Sequence, residues 1–197
     1  MWSQRLGIIG VWRGVADVDA TLAKTIEDLG YGTIWLGGSP GSHLREAEAL
    51  LDATESLHIA TGVVNIWKAD PAELADSYHR IEARHAGRLL LGIGSGHREA
   101  TPERVRPIEA MARYLDVLDE RGVPYEARVL SALGPRMLAL AAARTAGTHP
   151  YRTVPAQTSR PGPHSAQMPW SRRSRPSSWT PIRSPPGVPP AGSSVAT

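Results

Sequence analysis

Apolar positions along the first 150 residues alternate between short continuous runs and helical stripes. Leu6-Gly7-Ile8-Ile9-Gly10-Val11-Trp12 is a continuous apolar run, the pattern of a strand buried on both faces. From about Asp17 the apolar residues fall at Val18, Leu22, Ile26 and Leu29, and Gly30 follows, which reads as an amphipathic helix with a glycine stop. Thr33-Ile34-Trp35-Leu36 reads as a second strand and Leu44, Ala47, Leu50 and Leu51 as the next helix. Ile59 to Ile66 reads as one third strand. Asp70-Pro71 supplies an N-cap and a proline at the first helical position, and the helix behind them turns Leu74, Tyr78 and Ile81 inward.

Leu89 to Ile93 reads as the fourth strand. Pro107 opens a helix with Ile108, Met111, Leu115 and Leu118 on one face and Gly122 behind it. Arg128 to Ala132 makes a fifth strand, Met137 to Ala141 begins a fifth helix, and Gly147 to Tyr151 fits a short sixth strand. Strict alternation of strand and helix predicts a parallel sheet, either doubly wound or a (β/α) barrel. In both, chemistry gathers at the C-terminal ends of the strands.

Composition divides the chain. Residues 1–150 hold all 19 acidic residues, whereas residues 151–197 hold six Arg, no Lys, no acid, no Leu and ten of the 17 prolines. Such density of proline excludes helix and central strand. The expected organisation is therefore a globular unit over 1–151 and a disordered basic Arg/Pro/Ser-rich tail over 152–197. With no Cys there is no thiolate site or disulfide. No apolar run approaches the roughly 20 residues of a membrane span, and the amino terminus lacks a signal-peptide pattern, so a cytoplasmic location is expected.

Candidate chemistry lies at the strand ends. Glycines recur there: Gly37, Gly38 and Gly41; Gly92, Gly94 and Gly96; and Gly134. The segment Gly92 to His97 lacks the GxGxxG spacing of a dinucleotide loop. Gly134-Pro135-Arg136 lies between a strand and a helix, where free N–H groups and an arginine suit a phosphate. His97 and His149 each follow a strand and are candidates for proton transfer. Trp12, Trp35 and Trp67 lie near strand ends, as either the wall of a ring-shaped ligand or core. His79 and His85 read as surface residues, and no group of residues has metal-ligand spacing.

The series Leu6 to Trp12, Gly62-Val-Val-Asn-Ile-Trp67, Leu91-Gly-Ile-Gly-Ser-Gly-His97 and Ala132-Leu-Gly-Pro-Arg-Met-Leu138 resembles the luciferase-like monooxygenase superfamily. Within it, the chain is most similar to the mycobacterial-type oxidoreductases that use the deazaflavin coenzyme F420. The resemblance covers about residues 6–151 and implies an α/β fold, a (β/α)8 TIM barrel. Only about six strands fit in this length, so the barrel is expected to be incomplete. The resemblance puts Val63, Val64 and Asn65 at a bulge with a non-prolyl cis peptide that supports the cofactor ring. It puts Gly94, Ser95, Gly96 and His97 in the loop facing the ring and ribityl chain, and Gly38 after the second strand. Gly134, Pro135 and Arg136 fall at the turn that holds the phosphate.

Relatives often carry an acid or histidine after the second strand, where Leu36-Gly37-Gly38-Ser39 stands here. The acid some relatives use after the fourth strand is replaced by Ser95 or Gly96. These departures leave His97 and His149 as the candidate catalytic residues.

The implied activity is hydride transfer between F420 and a small organic substrate, with an FMN-dependent monooxygenase as the alternative. A homodimer is compatible with this reading, and neither membrane nor nucleic acid is an expected partner. The competing reading is a non-enzymatic fragment whose basic tail binds acidic partners. The tail's composition further predicts an out-of-frame translation of a GC-rich gene from about Arg152. Translating the other two frames downstream of codon 152 tests this. An open frame encoding further βα units is the expected outcome, and closed frames would make the tail genuine.

Overall fold

The computed structural model describes residues 2–96 and 105–150. His97, Tyr151 and the tail at 152–197 lie outside the described residues. The elements run α1 (Trp2–Arg5), β1 (Gly10–Gly14), α2 (Ala20–Asp28), β2 (Thr33–Gly37), α3 (Arg45–Asp52), β3 (His58–Thr61) and β4 (Val64–Asn65). They continue with α4 (Pro71–Glu82), β5 (Leu89–Gly94), α5 (Pro107–Glu120), β6 (Arg128–Leu130) and α6 (Pro135–Arg144). The six strands form one parallel sheet that does not close among the described residues: β1 pairs β2, β2 pairs β3, β5 pairs both β3 and β4, and β6 pairs β5. This is the arc of an incomplete (β/α) barrel. No helix among the described residues is long and apolar enough to cross a membrane.

Local sequence explains the elements. Asp19 and Asp70 cap α2 and α4, their carboxylates accepting the N–H of Leu22 and Glu73. Gly30 follows α2 with φ +82°, a left-handed conformation that suits a residue without Cβ. The larger apolar cluster lies between sheet and helices. It contains Ile34, Leu36, Ile59, Leu91 and Ile93 from the strands, packed against Leu51, Leu74, Ile81, Met111 and Leu115 from the helices. Leu6, Ala60, Leu90 and Val129 form a second cluster with Trp2 and Trp35, on the concave side of the sheet. Each inner strand therefore alternates between two buried faces, which is why it reads as a continuous apolar run.

Two expected strands differ at the ends of the sheet. The first strand is not the buried run Leu6 to Trp12. It begins at Gly10 and, among the described residues, pairs on one side only, and Ile8 and Ile9 are exposed. Leu6 instead follows α1 and packs into the cluster on the concave side. The sixth strand at Gly147 to Tyr151 reduces to a single parallel bridge between Leu130 and Thr148. His85 is half-buried, its Nε2 lying 2.7 Å from Asp52 Oδ1.

The third strand is also interrupted. Ala60 pairs with Leu90 but Val64 pairs with Ile93, so residues 61–63 oppose only 91 and 92. That is a β-bulge carrying one extra residue. The bond between Gly62 and Val63 is cis. Across the bulge the Thr61 hydroxyl donates to the Gly92 carbonyl and accepts the Gly92 N–H, each at 2.8 Å. A Cβ at residue 92 would collide with the Thr61 carbonyl oxygen, so this approach requires glycine.

Glu27 on α2 fixes the approach to β3. Its carboxylate accepts the N–H of Glu55, Ser56 and Leu57 and the Ser56 hydroxyl at 2.7–3.0 Å. Burial pushes this carboxyl up, but the four hydrogen bonds outweigh burial and bring it down to about 2.

Two outcomes are expected. Thr61→Val keeps the shape and strands the Gly92 N–H, which lowers unfolding stability by about 1–3 kcal/mol in denaturant titration. Glu27 has a folded pKa below its ordinary value of 4.5. Its stabilisation is therefore complete above about pH 4.5 and is lost as pH falls towards 2. Glu27→Gln should flatten that part of the stability–pH curve.

Candidate functional site

A cleft of about 650 Å³ opens where β2, β3, β5 and β6 end. Its lining comes from successive strand ends: Trp12, Gly38, Ser39, Gly62, Val63, Ser95 and Gly96. Pro107 and Ile108 of α5, Ser131, Leu133, Gly134, the first turn of α6 and His149 complete it.

Missing side chains create the space. Trp12 lies across Gly37, where a Cβ would overlap its indole. A Cβ on Gly94 would stand 2.5 Å from Val63 Cγ2 and 3.2 Å from the Ser131 Cβ. The bulge turns both Gly62 and Val63 to the cleft, and Val64 and Asn65 resume the ladder behind them.

Of the residues singled out from sequence, Gly38, Ser95, Gly96, Gly134, Pro135, Arg136 and His149 line this one cleft. Three stand behind it. Val64 is fully buried in the core and Gly94 lies in β5. Asn65 is buried, and its Oδ1 accepts the Trp67 N–H at 3.1 Å. His97 lies outside the described residues. Trp67 is not a cleft wall; its indole donates to the Ser95 carbonyl at 3.1 Å and ties β4 to the end of β5.

Gly62, Ser131, Leu133 and Ile108 line the cleft without a role expected from the sequence. The glycine-rich strand end was the available signal for Gly62. For Ile108 no signal existed, because helical periodicity assigns it to the core.

The α6 N-terminus faces the cleft. Gly134 is its N-cap, no side chain caps it, and Pro135 is the first helical residue. The first backbone bond back to the cap comes from Leu138, which leaves the N–H groups of Arg136 and Met137 outside the helical ladder. A Cβ at Gly134 would meet nothing within 4 Å, so the approach is open. Arg136 is exposed and has no ion-pair partner among the described residues. Helix dipole, free N–H groups and guanidinium together make an anion cradle.

His149 is held on the other side. Its N–H donates to the Leu130 carbonyl at 2.8 Å, extending the parallel bridge at Thr148. Its ring stacks on Trp35, centroids 3.9 Å apart and planes at 11°. Burial lowers its pKa below the ordinary 6.5 and so favours the neutral ring. A neutral imidazole at a cleft wall has one nitrogen free to accept a proton or hydrogen bond.

The fold is that of two solved F420-dependent enzymes. One is an F420-dependent secondary alcohol dehydrogenase in complex with an F420–acetone adduct. It matches with a TM-score of 0.63 at 15% identity, over 76% of this chain and 59% of its own. The other is the coenzyme F420-dependent tetrahydromethanopterin reductase of Methanopyrus kandleri, with a TM-score of 0.61 at 17% identity, over 76% of this chain and 57% of its own. The chain thus spans less than two thirds of either structure. No curated protein matches the sequence. Residues 16–121 match the sequence model of the luciferase-like monooxygenase family. That segment is more than half of the chain, from α2 through α5, and the chain belongs to this family.

Proposed function

We propose that the cleft binds the deazaflavin coenzyme F420 and that the chain is an oxidoreductase exchanging a hydride with a small organic substrate. The carrying observation is the open α6 N-terminus, with Arg136 beside it, at one end of a cleft whose other end is cleared by glycines. A ligand with a planar ring and a phosphate-bearing tail matches both ends. The F420-dependent activities named for the two structural neighbours support this reading.

The residues present fit the group. Arg136, with the N–H groups of Arg136 and Met137, would hold the phosphate. Val63, backed by Gly94 and Ser131, would bear on the ring, with Val64 and Asn65 fixing the bulge from behind. Gly38, Ser95 and Gly96 would leave room for the ring and ribityl chain. When bound, a deazaflavin supplies a two-electron hydride donor or acceptor. The protein's part is to fix distance and face, and to exclude water with Ile108, Leu133 and Met137. His149 is the described residue suited to hold the substrate proton. FMN is the second reading, favoured by the family's luciferase-like description.

Titration of the purified chain with F420, followed by deazaflavin fluorescence, tests the proposal. Saturable binding is expected, and Arg136→Ala should weaken it about 10–100-fold through loss of charged hydrogen bonds. Absence of binding by the unsubstituted chain overturns the reading, and binding of FMN alone decides for the alternative.

A further inference from the structure

The His149 ring enters the cleft from one side of the arc, and the group stacked on it comes from the other. In the sheet, β3 and β5 lie between β2 and β6. The Trp35 indole of β2 nevertheless meets the imidazole that follows β6 face to face, with the two planes only 11° apart.

The His149 backbone is fixed without this contact. Its N–H donates to the Leu130 carbonyl, and Pro150 behind it disfavours helical backbone at residue 149. Neither constraint sets the ring. Rotation about the last side-chain bond of a histidine is broad, so a neighbour must choose the ring plane. In many functional histidines that neighbour is a carbonyl or carboxylate accepting from one ring nitrogen. Here neither ring nitrogen has a hydrogen-bond partner among the described residues, and the described cleft lining holds no carboxylate.

Trp35 is itself well seated. It packs on the buried cluster of Leu6, Ala60, Leu90 and Val129. Gly10 passes its edge, where a Cβ would stand 3.4 Å from Trp35 Cδ1 and Nε1. An indole on a strand, packed in this way, passes its rigidity to the ring stacked on it. The imidazole edge bearing Nε2 then faces the bulge. A Cβ on Gly62 would be in ordinary contact with His149 Nε2 at 3.6 Å and with Trp12 Nε1 at 3.5 Å.

We propose that Trp35 is a positioning residue of this site, its indole face fixing the plane of the His149 imidazole with Nε2 towards the Gly62–Val63 end of the cleft. An aromatic face takes the place of a carboxylate partner. A carboxylate would favour the imidazolium, whereas the indole orients the ring and covers it from water without a full negative charge beside it. This assignment rests on the role given to His149 above.

The test uses the full chain with 13C,15N-labelled histidine, and its reporters are the His149 ring Cε1–Hε1 group and the His149 amide. In the unsubstituted chain the ring proton should lie upfield, shielded by the indole, with an order parameter near the value of about 0.85 for rigid backbone. Trp35→Leu removes the face and keeps an apolar side chain. The ring proton should then move downfield and the order parameter fall below about 0.6. Hydrogen exchange at the His149 amide should stay within about threefold, because the Leu130 carbonyl still holds it. Trp35→Phe keeps a smaller face, so the ring should stay rigid with a reduced upfield displacement. Adding F420 should shift the ring signal saturably.

A ring that stays rigid and upfield in Trp35→Leu overturns the proposal, as does a mobile or unshielded ring in the unsubstituted chain. Loss of amide protection together with ring order also overturns it, by making Trp35 a support of the segment rather than of the ring. Should Trp35→Leu not fold, Trp35→Phe decides: an unchanged displacement or a mobile ring counts against the proposal, a reduced displacement on a rigid ring for it. F420 that binds without moving the His149 signal places the ring outside the site and overturns the assignment. Failure of the unsubstituted chain to bind F420 is a separate result against the functional reading, and ring order in the three chains then decides the positioning by itself.

Discussion

One hydroxyl group holds the geometry on which the cleft depends. The third strand carries an extra residue against β5, yet both ends of the bulge stay in register. An interruption in the middle of a parallel sheet leaves backbone groups without ladder partners, and buried N–H and C=O groups are costly to leave unpaired. Thr61 resolves this by placing one oxygen where it both donates to and accepts from Gly92. Gly92 makes the approach sterically allowed. Because side chains alternate along a strand, the extra residue changes which face each later residue presents. Val63 and Gly62 both reach the cleft as a result, and Val64 returns to the core.

The cleft floor is built in layers on the same logic. Trp35, Ala60, Leu90 and Val129 fill the concave side of the sheet. Two residues further along the same strands stand Gly37, Gly62, Gly92 and Ser131, of which only Ser131 has a side chain. Parity keeps these positions on the same face, and of them Gly62 and Ser131 line the cleft. His149 and Trp12 then occupy the margins of the cleared space. Each is seated where a partner makes room or stacks, Gly37 under Trp12 and Trp35 under His149.

The helices were legible because their signals are local. Asp70-Pro71 marks the start of α4, and Leu74, Tyr78 and Ile81 are all buried, as their spacing predicts. Gly134-Pro135-Arg136 marks the start of α6. The bulge was not legible from periodicity, since the apolar run from Ile59 to Ile66 has no visible break. The resemblance to a family, rather than the run itself, pointed to Val63. The misplaced first strand has a similar cause. An apolar run implies burial only when both flanks are covered, and β1 has one partner among the described residues. The meeting of Trp12, Gly62 and His149 is a product of topology, since no local pattern links residues so far apart in sequence.

Capping chemistry gives the cleft a direction. In a βα architecture the helix N-termini lie at the same end of the sheet as the C-terminal ends of the strands, so each is a potential anion site. Here α2 and α4 are closed by their own carboxylates, Asp19 and Asp70. A second negative charge at those ends would meet one already in place. Both α5 and α6 begin with proline and lack a side-chain cap, and both contribute to the cleft wall. An anionic group is therefore drawn to the α5–α6 side, where Arg136 adds charge. The uncharged donor and acceptor of Trp12 and His149 lie towards β1 and β3, away from that attraction. Under the proposed reading, a ligand with one charged end and one flat end would be oriented by the pattern of caps before any contact to its ring is made.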